Sequence, residues 1–89
     1  MALRILSSPS EPGEIADDLK RCIETALPGA EVVVTAVSPG HFEIRATSEA
    51  FAGKSRVQQQ QLVYAAIAHL MKGDAAPVHA IDRLQTEPA

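Results

Sequence analysis

The sequence predicts a single α+β domain built from two amphipathic helices, a β-hairpin and a third strand. Three features predict it. Apolar residues recur at helical spacing in two separate stretches, residues 15–27 and 57–71. Two extended runs flank the turn sequence Ser38-Pro39-Gly40, and a third extended run follows the second helical stretch. The chain has 89 residues, which allows one modest core and no second domain.

Residues 1–11 mix apolar pairs with Ser, Pro and Glu and carry too little apolar surface to offset ordering entropy. They are expected to form a flexible arm ahead of a domain spanning 12–89. Pro12 suits a first helical turn, and Glu14, Asp17 and Asp18 favour the positive end of the helix dipole. Ile15, Leu19, Cys22, Ile23, Ala26 and Leu27 form one apolar stripe, in which Cys22 reads as a small core hydrophobe. Pro28-Gly29 stops the helix. Glu31 to Val37 has the Val and Thr content of a strand. In the following run Phe42, Ile44 and Ala46 point one way while Glu43, Arg45 and Thr47 point the other, giving a hairpin with one wet face. Ser48 caps a single turn through Phe51, Gly53 breaks the chain, and Ser55 caps the main helix. Val57, Val63, Ala66, Ile67, Leu70 and Met71 are the expected buried stripe of that helix, with Gln58 to Gln61 mostly solvated. His69 lies on the exposed or flanking side, where nothing is expected to pair with it, and reads as structural. Gly73-Asp74 ends the helix, and residues 78–86 read as the third strand.

Hydrophobic content is 46% with Phe42, Phe51 and Tyr64 as the aromatics, so the core must be aliphatic. A formal charge of -3 argues against non-specific binding to nucleic acid. Cys22 is the single cysteine, so no internal disulfide can form and a reducing compartment is expected. The apolar opening of the chain is cut short by Ser7-Ser8-Pro9, too brief for a signal segment or a membrane span. A cytoplasmic location follows as the expectation.

A strand, a helical crossover and another strand imply that the second and third strands run parallel. If they are neighbours, their N-terminal ends share one edge of the sheet. His41 begins one and His79 begins the other, so the two imidazoles meet at that edge although they are far apart in sequence. Two imidazoles are too few to close a tetrahedral metal site, and a partner would have to supply the remaining ligands. At the other end of the main helix, Gly53-Lys54-Ser55 resembles the close of a phosphate-binding loop. That loop needs a glycine five residues before Gly53, and position 48 is Ser. Lys54, Arg56 and Gln58 are instead candidates for meeting nucleic-acid phosphates at a helix N-terminus. No spacing assembles a nucleophile, a base and an orienting acid, so the chain is expected not to be an enzyme.

The ordered set Pro28-Gly29-Ala30, Gly40-His41-Phe42, Ser48-Glu49-Ala50-Phe51-Ala52-Gly53-Lys54-Ser55-Arg56-Val57-Gln58, Leu62-Val63-Tyr64 and Val78-His79-Ala80-Ile81 resembles the BolA family, and within it the short bacterial IbaG-like branch. The resemblance spans about residues 13–88. It implies an α+β, class II KH-like fold with the helices packed on one face of a three-stranded mixed sheet. It also implies a non-enzymatic adapter that pairs with a monothiol glutaredoxin, shares a 2Fe–2S cluster with it, and acts in iron homeostasis or stress response. In that family the His of the His-Ala-Leu-type motif is a cluster ligand, which falls on His79. The second ligand comes from the loop between the first two strands. That loop is very short here and leaves His41 as the candidate, whereas in longer-loop relatives the ligand lies upstream of the equivalent position. The partner would supply its cysteine and bound glutathione thiolates, and the unloaded chain is expected to be a monomer. The alternative is a DNA-binding regulator of stress or envelope genes acting through Lys54, Arg56 and Gln58, which the absence of a KH-type Gly-x-x-Gly loop weakens. Asp82-Arg83-Leu84 departs from the family's apolar alternation, so the third strand is expected either to bulge or to lose a core residue at Arg83.

Overall fold

The computed structural model describes residues 12–89, and the arm expected over residues 1–11 lies outside them. Helix α1 (Pro12–Ala26) leads into strands β1 (Glu31–Ser38) and β2 (His41–Ser48). A 3-10 turn (Glu49–Phe51) joins β2 to helix α2 (Arg56–Ile67), and a second 3-10 turn (Ala68–Leu70) precedes strand β3 (Ala80–Pro88). The sheet order is β1-β2-β3, with β1 antiparallel and β3 parallel to the central β2. The expected class is therefore borne out: two helices cover one face of a three-stranded mixed sheet.

Helix α1 buries Ile15, Leu19 and Ile23, and Leu27 just past its end continues a ladder at intervals of four that aims one face at the sheet. Cys22 is half-buried against this core. Ala26, expected in the same stripe, is exposed and opens on a shallow cavity between the helices that Cys22, Ala66 and His69 also line. Phe42, Ile44 and Ala46 of β2 face the helices and are fully or almost fully buried. The opposite face of the sheet, carrying Val33, Thr35, Glu43, Arg45, Arg83 and Gln85, is uncovered, which is the wet face expected of the hairpin.

Helix α2 departs from the expected stripe. Its buried residues are Gln59, Val63 and Ile67, again four apart, with Leu62 and Ala66 beside them. Val57 is 62% exposed. It precedes Gln59 by two residues, which puts it about 200° around the helix from the buried ladder. Gln59 is interior rather than solvated because its amide is fully used. Its Nε2 donates to the carbonyls of Lys54 at 3.0 Å and Phe51 at 3.3 Å, and its Oε1 accepts from Thr86 Oγ1 at 2.7 Å. One buried side chain thus ties the start of α2 to β3, and burial without loss of hydrogen bonding makes it tolerable.

Both caps expected from sequence are present. Ser48 Oγ accepts from Ala50 N–H, and Ser55 Oγ accepts from Gln58 N–H. Gln58 Oε1 in turn accepts from Ser55 N–H at 2.9 Å, completing a capping box. The α-helix ends at Ile67, and the chain tightens into the 3-10 turn instead of running regularly to Met71, although Leu70 and Met71 still pack on the core. In that turn His69 Nε2 lies 3.6 Å from Cys22 Sγ. The expectation that nothing pairs with His69 is thereby corrected: the two helices pack side by side and bring α1 to it. No helix among the described residues is long and apolar enough to cross a membrane.

Candidate functional site

The hairpin turn sets the position of the first histidine. Ser38 pairs with His41 across Pro39-Gly40, and Gly40 adopts φ +79°. Proline followed by a positive-φ glycine is the residue pattern of a type II turn, and only glycine accepts that φ without strain. The Gly40 carbonyl accepts from both His79 N–H at 2.8 Å and Ala80 N–H at 3.0 Å. The hairpin turn is therefore also the dock for the start of β3.

Because β2 and β3 are adjacent and parallel, His41 stands opposite Ala80, one residue beyond His79. The imidazoles come together as the strand order predicts, with ring centroids 6.5 Å apart and planes at 84°. His79 packs against Gly40 so closely that a Cβ there would sit 2.6 Å from its Nδ1 and 2.8 Å from its Cγ. His41 Nδ1 lies 3.0 Å from Asp82 Oδ1. His41 is thus held by a polar contact at Nδ1, and His79 by the packing of its ring on Gly40. An open groove of about 270 Å³, lined by Pro39, Gly40, Asp74, Pro77 and His79 among others, runs beside His79.

Asp82 has this position because β3 bulges. The register passes from Phe42↔Ile81 to Glu43↔Arg83, leaving Asp82 without a partner on β2. The extra residue shifts the alternation by one, so that Leu84 packs on the core, Thr86 is buried and Arg83 is exposed on the wet face. Of the two outcomes expected for Asp82-Arg83-Leu84, the bulge is the one that occurs. The aspartate itself was not among the residues the sequence pointed to as a site. Its only signal there was the break in alternation.

The second candidate cluster is not brought near this one. Lys54 and Arg56 flank the α2 N-terminus, are exposed, and take part in none of the ion pairs among the described residues. Gln58 is exposed too, but its side-chain oxygen is committed to the capping box. Among the described residues no group of three or more His, Cys, Asp and Glu side chains is arranged to hold a metal ion.

A family model described as BolA-like protein matches residues 23–87. Among solved structures, the chain is similar to a bolA protein homologue from Coxiella burnetii at 30% identity and a TM-score of 0.66, covering 81% of this chain and 87% of that one. It is similar to BolA1 from Mus musculus at 26% identity and a TM-score of 0.61, covering 92% of this chain and 67% of that one. BolA1 from Arabidopsis thaliana, at 22% identity and a TM-score of 0.66, shares the fold over 82% of this chain and 89% of its own. No curated protein sequence matches the chain. The matched family model spans β1 to β3 and the His41–His79 edge, and the chain belongs to the BolA-like protein family.

Proposed function

We propose that this protein is a non-catalytic adapter that pairs with a monothiol glutaredoxin and co-ligates a 2Fe–2S cluster with it, in iron–sulfur trafficking or iron regulation. The observation that carries the reading is the meeting of His41 and His79 at the shared N-terminal edge of two parallel strands. Imidazole nitrogens suit a cluster in which they replace two thiolates on one iron. Two donors leave the site incomplete by design of the chain, which suits a cluster whose other iron is held by a partner's cysteine and glutathione thiolates. Tetrahedral ligation through bonds of about 2.0–2.1 Å places two ring centroids about 5 Å apart. The observed 6.5 Å therefore has to shorten by about 1.5 Å, within reach of rotations of two rings at the surface.

The chain's own work in this reading is to present two nitrogens. Asp82 engages Nδ1 of His41 and the His79 ring packs on Gly40, so in this reading Nε2 is the ligating nitrogen of His41. Mixing the protein with cluster-loaded monothiol glutaredoxin is expected to change the visible absorption and circular dichroism of the cluster. His79→Ala is expected to abolish that change, and a variant that behaves like wild type ends the assignment. No observation favours DNA contact through Lys54, Arg56 and Gln58: the Gln58 side chain is held in place by the capping box through its oxygen, and the chain is acidic.

A further inference from the structure

We infer that Asp82 is a positioning residue for His41: its carboxylate holds the imidazole in the Nδ1–H tautomer and so turns a bare Nε2 toward the partner. The inference rests on the cluster reading for its purpose, and on the bulge and the 3.0 Å contact for its geometry.

The bulge gives the aspartate this task. Without the extra residue, Asp82 would stand opposite Glu43, two like charges across adjacent strands, which is destabilising. With it, Arg83 stands opposite Glu43, and Asp82 is freed to turn back to His41 at the strand start. A carboxylate only accepts hydrogen bonds when ionised, so the proton in the 3.0 Å contact belongs to His41 Nδ1. A neutral imidazole protonated at Nδ1 carries its lone pair on Nε2, the arrangement that a carboxylate imposes on a metal-binding histidine. Both side chains are well exposed, 42% for His41 and 39% for Asp82, so the pair contributes little to folding stability. What it contributes is orientation. His79 has no carboxylate partner among the described residues, and its ring is placed by packing on Gly40.

The test begins on the unloaded protein, with heteronuclear NMR of the imidazole nitrogens at a pH where the rings are neutral. Wild type is expected to show His41 predominantly as the Nδ1–H tautomer. Asp82→Ala is expected to lose that predominance with His79 and the thermal melt unchanged, and Asp82→Asn, which keeps an acceptor oxygen, is expected to restore it. In the complex with cluster-loaded glutaredoxin, Asp82→Ala is expected to weaken cluster retention roughly 10- to 100-fold, the usual effect of removing such a partner. An Nε2–H tautomer in wild type, or an unchanged tautomer in Asp82→Ala, overturns the inference. So does unchanged retention in Asp82→Ala where His79→Ala loses the cluster. If both variants retain the cluster as wild type does, the cluster reading fails instead, and the tautomer measurement alone still decides what Asp82 does.

Discussion

Gly40→Ala probes the joint between hairpin and third strand. Two costs are separable there. The φ of +79° puts an L-residue in the left-handed region, which costs on the order of 1–3 kcal/mol. A Cβ would also lie 2.6 Å from His79 Nδ1 and 2.8 Å from His79 Cγ, closer than carbon atoms pack. Cγ sits one bond past Cβ and cannot flex away, so the ring has to leave its rotamer, at about 0.5–1.5 kcal/mol. The sum is about 1.5–4.5 kcal/mol, a large share of the stability of a small domain. Urea denaturation of wild type, Gly40→Ala, His79→Ala and the double variant separates the two parts. Removing the ring abolishes the clash and leaves the backbone strain, so the double variant is expected to be more stable than the sum of the single effects by about 0.5–1.5 kcal/mol. Strict additivity would refute the packing of His79 on the turn. A Gly40→Ala midpoint equal to wild type would refute the backbone argument as well.

Two further predictions concern the frame that holds this edge. Gln59→Leu strands the Thr86 hydroxyl and the Lys54 carbonyl, while the Phe51 carbonyl keeps its bond from Lys54 N–H, and the change is expected to cost about 1–3 kcal/mol in chemical denaturation. Thr86→Val in that background is expected to recover part of the loss; a cost below about 0.5 kcal/mol would show that the amide does not tie α2 to β3. Ser55→Ala is expected to cost about 0.5–2 kcal/mol, and Gln58→Ala less, since it removes only the returning arm of the box. Equal thermal melts for Ser55→Ala and wild type would discount that cap.

The candidate site was visible in the sequence to the extent that it depends on order along the chain. Strand, crossover helix and strand imply parallel neighbours, and two histidines at strand starts then meet at one edge. Helix capping by Ser48 and Ser55 was likewise readable, because a cap is a contact between residues two or three apart. The arm over residues 1–11 remains an expectation from composition.

What sequence determined by itself, then, is the local and the ordered: the elements, the turn at Pro39-Gly40, and the histidine-bearing edge. The core expected to be aliphatic is so only in part, since Phe42 and Phe51 are fully buried in it and are its largest side chains. Tertiary structure decided the rest, because it depended on which face each element turned to its neighbours. The phase of α2 placed Gln59 inside and Val57 outside, since the bonding partners of Gln59 include Thr86 on a distant strand. Helix packing paired Cys22 with His69 across 47 positions of sequence. The bulge in β3 showed only as a broken alternation, and the register of β2 against β3 turned that irregularity into an aspartate aimed at His41.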